Sequence, residues 1–254
     1  MTRWSKYPQE SQVLAELRSS TPARVGVGRA GVRPSTQSWL KFRQDHAMAR
    51  DAVKSEFSPQ FLTFAQERHY PLIQSKASSK LDFISFPPKG KQTGAETIDQ
   101  LRQLCPQNLD VQIVVSDGLS AQAIDENVRD ALPMILDGLK LENITCGIPV
   151  VVRYGRVAVA DQIAHALGMK LAINLIGERP GLSTSGSMSA YLTYNPGPDT
   201  ISSDRTVVSN IHELGTLPVE AGAYVVQLAK RILTLEMSGV KLQQNHSTSQ
   251  TSNI

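Results

Sequence analysis

An α/β fold, with a mostly parallel sheet flanked by helices and preceded by a mainly helical N-terminal region, is predicted by three observations. Short β-branched runs recur through the second half of the chain: Val111–Val115, Ile148–Arg153 and Leu171–Ile176. Stretches with apolar residues every three or four positions separate them, which is the alternation that builds parallel sheets with helices on their faces. Finally, 254 residues that are 41% apolar suffice for a large core without disulfide or metal staples.

In chain order, residues 1–35 are poorly periodic and hold one short candidate helix around Val13, Leu14 and Leu17, followed by a Gly/Arg-rich loop. Trp39, Phe42, His46, Ala49, Val53 and Phe57 place one apolar stripe on a helix from about Thr36 to Glu56. Lys41, Arg43, Arg50 and Lys54 fall outside the stripe. Residues 74–97, rich in Ser, Lys, Pro and Gly, read as a connector with one short strand, Leu81–Phe86. Val111–Val115 reads as a strand buried on both faces. A helix capped by Ser120 follows and carries Ile124, Val128, Leu132, Ile135 and Leu139, with Pro133 expected to kink it. After the second strand comes a short helix from Asp161, ended by Gly168. The third strand follows, then Ala190–Tyr194 and Thr206–Ser209 as two further strands. The last helix opens near Thr216 and Pro218 and runs to Gly239. These readings divide the chain into an N-terminal extension (1–35), a helical region and connector (36–107), an α/β domain (108–242) and a disordered polar tail (243–254).

Composition excludes several classes. With 26 Lys+Arg against 23 Asp+Glu and no dense basic block, nucleic acid is not an expected partner. No apolar run approaches the roughly 20 residues of a membrane-spanning helix, and the first residues lack a secretory core. Cys105 and Cys146 make no disulfide framework, which suits a reducing cytoplasm.

In parallel sheets ligands bind beyond the carboxyl ends of the strands. Three loops lie there: Ser116–Ser120, Tyr154–Val157 and Gly177–Gly181. The last, Gly177-Glu178-Arg179-Pro180-Gly181, is a tight turn holding a carboxylate and a guanidinium. It reads equally as a ligand contact and as a surface ion pair worth under about 1 kcal/mol. Gly26-Val27-Gly28-Arg29-Ala30-Gly31 matches the dinucleotide fingerprint, but no hydrophobic strand precedes it and Arg33-Pro34 delays any helix. A glycine-rich turn whose Arg24, Arg29 and Arg33 pair with carboxylates of another chain is the other reading. His212-Glu213-Leu214-Gly215-Thr216 opens like a zinc motif, yet Thr216 occupies the second ligand position. The sequence shows no nucleophile elbow, acid–base pair or metal cluster.

In sequence, Arg24–Gly31, Pro34–Ser38, Asp45-His46, Val115–Ser120, Val152–Val157, Asp161–Ile163, Gly177–Leu182, Asp204–Thr206, Ser209–His212 and Pro218–Ala221 together resemble the small (light) subunit of ethanolamine ammonia-lyase. The resemblance spans roughly residues 22–240. It implies an adenosylcobalamin-dependent lyase converting ethanolamine to acetaldehyde and ammonia. A barrel-type large subunit would hold the substrate and the radical chemistry, and this chain would help hold cobalamin at the interface through a Rossmann-like domain at 108–242. It further implies an assembly of six large and six small subunits. The setting would be the cytoplasm, free or inside a bacterial microcompartment. Three cofactor-contacting positions carry over: Val157, Glu178 and Val207. At Val207 the family often has cysteine, so an apolar contact survives there and a thiol role does not. His165-Ala166-Leu167-Gly168 lacks the aspartate of the histidine-on cobalamin motif, since Ile163 stands in its place, so the cofactor's own base is expected to remain on cobalt. Two other readings stand beside this one: a nucleotide-dependent oxidoreductase using Gly26–Gly31, and a ligand-free interaction module docking through helix 36–56.

Overall fold

A computed structural model describes residues 12–21, 23–182 and 184–251, with side chains as far as residue 245. Residues 1–11 of the expected extension, Pro22, Ser183 and the last three residues of the expected tail lie outside the described residues. Helix α1 (Gln12–Ser19) leads into a two-stranded hairpin, β1 (Arg29–Ala30) and β2 (Arg33–Pro34), and then α2 (Thr36–Lys54). Ser35 caps α2, its hydroxyl accepting the amide of Ser38. Neither α1 nor the hairpin buries a residue, and α2 buries only Ala52.

Helix α3 (Pro59–Glu67) and strand β3 (Leu72–Gln74) follow. The predicted strand Leu81–Phe86 is instead part of helix α4 (Lys80–Ser85). The reason is local capping: the Ser79 hydroxyl accepts the amide of Asp82, and the Asp82 carboxylate accepts the amide of Ser78. Pro87 and Pro88 then turn the chain into a 3-10 segment, Pro87–Lys91. Helix α5 (Ala95–Leu104) completes this region, so much of the expected connector is ordered helix.

The α/β part begins with β4 (Val111–Ser116), every residue of which is buried. Helix α6 (Ala121–Leu141) is capped by Ser120, as its sequence predicts. Pro133 does not end it. Leu132, Ile135 and Leu139 are fully buried around the proline, and that burial outweighs the one backbone hydrogen bond a proline removes. Strand β5 (Val150–Arg153) is followed by α7 (Val157–Ala166), which starts four residues before the predicted Asp161. Arg156 makes no side-chain cap there, so the sequence carries no start signal. Strands β6 (Leu171–Gly177), β7 (Met188–Tyr194) and β8 (Arg205–Ile211) come next. Helix α8 (Pro218–Leu235) ends at Glu236 in a left-handed conformation, not at Gly239. Helix α9 (Gly239–Thr251) occupies most of the stretch expected to be a disordered tail.

The six-stranded sheet has the order β3-β5-β4-β6-β7-β8. Its first four strands are mutually parallel, while β7 and β8 are antiparallel additions, so the sheet is mixed. One face packs Ile113, Val115, Ile173 and Leu175 against α6 and α8. The other packs Val114, Val150 and Val152 against α5 and α7. Among the described residues no helix is long and apolar enough to cross a membrane.

At the carboxyl edge the turns after β4 and β6 touch backbone to backbone. The Leu119 amide donates to the Gly177 carbonyl at 3.0 Å, and a Cβ on Gly177 would lie 1.9 Å from the Ser120 oxygen. Gly177→Ala is therefore expected to lower stability by about 1–3 kcal/mol, as overpacked sites do. Urea unfolding checks this, and an unchanged midpoint would contradict the close approach.

Candidate functional site

The three strand-end loops converge. After β4, Asp117 is 1% exposed and its Oδ1 accepts the Gly155 amide at 3.1 Å, which ties the first loop to the second. Gly118 adopts φ +54, and a Cβ there would sit 2.2 Å from the Gly177 carbonyl, so only glycine fits this contact. After β5, Tyr154 (φ +57) donates its hydroxyl to Glu56 at 2.8 Å. The Arg156 amide donates to the Gly90 carbonyl at 2.7 Å. Its guanidinium donates to the Phe83 carbonyl at 3.1 Å and lies 4.2 Å over the Phe83 ring. Helix α7 then opens at Val157 with its first amides uncapped by any side chain, leaving donors and a positive dipole end at the loop. After β6, Glu178 pairs its amide with the Ser187 carbonyl at 2.9 Å, and its carboxylate accepts the Tyr191 hydroxyl at 3.0 Å.

These groups line a cavity of about 110 Å³, among them Leu119, Arg156, Val157, Glu178 and Tyr191. Arg156 and Val157 also line a neighbouring cleft of about 760 Å³, together with Asp161, His165 and Arg205. The floor beside α7 is the face of β6, β7 and β8 opposite to α6 and α8. Across it Asn174, Tyr191 and Val207 stand in register. Asn174 donates to the Val157 carbonyl at 3.2 Å. Arg205 and Asp161 form a buried ion pair at the side of the cleft. Burial raises the Asp161 carboxyl above its ordinary range, and Arg205 opposes that rise.

The structure thus brings Val157 and Glu178 to one cavity and links both, through Asn174 and Tyr191, to Val207, which is 45% exposed on β8. Val157 is the first residue of a helix and not the end of a loop. Arg24, read as a candidate anchor to another chain, pairs instead with Asp45 and lies 5.5 Å over Phe42. Gly26–Gly31 lies between α1 and the small hairpin, and α2 opens only at Thr36, so the strand–loop–helix geometry of a dinucleotide site is not formed there. His212 shares a hydrogen bond with Asn210 Oδ1 at 2.8 Å, and among the described residues no cluster of three His, Cys, Asp or Glu could hold a metal.

Sequence reasoning missed Asn174, Tyr191 and Lys80, and it did not pair Asp161 with Arg205. Asn174 and Tyr191 sit on strands read only for their apolar rhythm. Lys80 becomes meaningful only when folding brings it to a loop 38 positions away.

Among the described residues, Arg156 Nε and Arg205 Nε of the cavity linings, and Asn174 Oδ1 and Ser189 Oγ on the strands beneath, are buried without a hydrogen-bond partner. Buried polar groups are rarely left so.

A family model described as ethanolamine ammonia-lyase light chain (EutC) matches residues 11–243.

Burial, then the neighbouring Glu178 carboxylate, pushes the Tyr191 hydroxyl up from 10.0 to about 12. The folded protein therefore holds that proton more tightly than the unfolded chain. The associated stability is fully present below about pH 10 and is lost as pH rises towards about 12. Tyr191→Phe is expected to flatten this alkaline limb in thermal unfolding followed against pH; parallel limbs in the two proteins would contradict a raised Tyr191 hydroxyl.

Proposed function

The chain belongs to the ethanolamine ammonia-lyase light-chain family, and we propose that it supplies one wall of the adenosylcobalamin site of that enzyme, the other wall coming from the large subunit. A light chain implies a heavier partner, and the family's enzyme is a cobalamin-dependent ammonia-lyase in general. The observation that carries the reading is the convergence of the loops after β4, β5 and β6 on one cavity lined by both Val157 and Glu178. In this proposal residues 108–242 act as a Rossmann-like, cofactor-contacting domain without a catalytic residue of their own.

When bound, the cofactor supplies a cobalt–carbon bond whose homolysis starts hydrogen abstraction from ethanolamine, on the way to acetaldehyde and ammonia. What this chain does is position it. The uncapped first turn of α7 offers amide donors beside the apolar side chain of Val157. Glu178 accepts hydrogen bonds from amide N–H groups on the corrin fringe, and Tyr191 fixes the direction of that carboxylate. Val207 gives an apolar contact on the open strand face, a role that tolerates valine where relatives often carry cysteine. The paired Asp161 and Arg205 narrow the neighbouring cleft from its side.

We also assign the contact with the large subunit to the arm formed by α1, the hairpin and α2. Val32 is 92% exposed and Trp39 49%, and residues 12–54 carry eight Lys or Arg against three Asp or Glu. Most of a helix's stability in a protein comes from packing its amphipathic face, so an arm that buries so little of its apolar stripe gains from a partner surface that is apolar and rimmed with carboxylates.

Hydrogen bonds to a charged group are worth about 1.5–3 kcal/mol. Glu178→Ala should therefore weaken cobalamin binding to the assembled complex by about one to two orders of magnitude in a spectroscopic titration. Unchanged affinity would remove Glu178 from the site and overturn the shared-wall reading. Trp39→Ala is expected to lower co-purification with the large subunit while leaving the cofactor affinity of the remaining complex intact. Full co-assembly would overturn the arm's role.

A further inference from the structure

Lys80 is a lysine with 9% of its surface exposed, on a short helix that the proposed cofactor contacts do not use. Its Nζ donates to the Gly118 carbonyl at 2.9 Å, stands 3.5 Å from Asp117 Oδ2 and lies 5.2 Å over the Phe83 ring. Asp117 uses its other oxygen to accept the Gly155 amide at 3.1 Å. The next residues complete the circuit, since Leu119 donates to Gly177 and Phe83 accepts from Arg156. Three side chains, Lys80, Asp117 and Arg156, with the Leu119–Gly177 backbone bond, hold helix α4 and the turns after β4, β5 and β6 in one arrangement.

Stability alone does not explain this choice. Burying an ammonium and a carboxylate costs several kcal/mol per ion before their attraction returns any of it, and apolar residues of similar volume often serve a core as well or better. An apolar residue could fill the space above Phe83. It could not bond a carbonyl and a carboxylate together, which requires the several donors of an ammonium group. Burial pushes the Lys80 ammonium down and the Asp117 carboxyl up from their ordinary values, each opposed by the other's charge.

We infer that Lys80 and Asp117 are positioning residues, which fix the strand-end turns so that Val157 and Glu178 present to the cofactor at one separation. The inference rests on the reading of those turns as a cobalamin wall. Neither residue touches the cofactor. Lys80 sets the Gly118 carbonyl and, through Asp117, the Gly155 amide, two positions before the first turn of α7. An arrangement set in this way keeps its shape before the ligand arrives, so binding pays less for ordering loops.

The test uses the complex with the large subunit and three variants: Lys80→Met, Lys80→Met with Asp117→Asn, and Glu178→Ala as reference. Residues that orient direct contacts typically cost about 10- to 100-fold in affinity when changed. Lys80→Met is expected to raise the cobalamin Kd about tenfold or more, and to speed amide hydrogen exchange in residues 116–120 and 154–157 without cofactor. In the double variant the buried carboxylate is neutral and an amide oxygen still faces Gly155. Its melting temperature should return towards that of the parent protein, while the raised Kd and the fast exchange remain. That split separates positioning from folding. A double variant with parental affinity, or Lys80→Met with parental Kd and exchange, overturns the inference. If Glu178→Ala alone weakens binding, the cofactor wall stands and only the positioning role falls. If Glu178→Ala leaves binding unchanged, the cofactor wall itself falls, and the exchange rates still decide whether Lys80 orders the turns. Should Lys80→Met fail to assemble, the double variant carries the same comparison.

Discussion

The amide of Leu119 and the carbonyl of Gly177, 3.0 Å apart, join the turns that follow β4 and β6. They meet only because neither Gly118 nor Gly177 carries a side chain. The strands themselves fix very little beyond their last residue, since a parallel ladder ends where its hydrogen bonds end. What places Glu178 relative to Val157 is the backbone closure between these turns, extended to the third by Asp117 and the Gly155 amide.

The mixed sheet explains why a cleft opens where it does. Its parallel strands are covered on both faces, by α6 and α8 on one side and by α5 and α7 on the other. The antiparallel strands β7 and β8 extend the sheet past the edge of α7. Their apolar residues Ala190, Leu192 and Val208 face α8 and its neighbours, leaving Tyr191 and Val207 on a face that no helix covers. A polar and apolar mixture survives on that strip because part of it remains in water, while α7 supplies a low-dielectric wall beside it. Asp161 and Arg205 sit at this boundary, each desolvated and each the other's compensation.

Where structure follows from local chemistry, the sequence is easily read. The fully buried run Val111–Val115, the Ser120 cap and the stripe from Trp39 to Val53 all specify their elements within a few residues. The failures have two causes, a local cap that the strand pattern hides and a decision made elsewhere in the chain. Leu81–Phe86 looks like a strand until Ser79 and Asp82 cap its first turn. Val157–Ala160 carries no helix start signal, yet α7 begins there against β4 and β6. β7 and β8 are legible as strands, but the direction in which they join the sheet depends on the turns before them. For the site, the turn Gly177–Gly181 and Val157 were visible as strand-end positions, and Glu178 as a carboxylate in a tight turn. Tyr191, Asn174 and Lys80 were not, because each matters only through a partner distant in sequence.

The same reasoning bears on why such a chain would work as one member of a pair. Its body has a well-filled core, and the strip beside α7 is open. The arm of α1, the hairpin and α2 is the reverse: internally consistent, with Arg24 on Asp45 and Trp39 stacked on Phe42, but buried against the body only near Ala52. One part lacks a lid and the other lacks a floor. If a single neighbouring subunit supplies both, grip and ligand closure come from one polypeptide, and neither needs a loop of this chain to move. A preformed wall meeting a preformed partner costs less ordering on binding than a mobile lid would, and that economy would favour the cofactor proposed for this site.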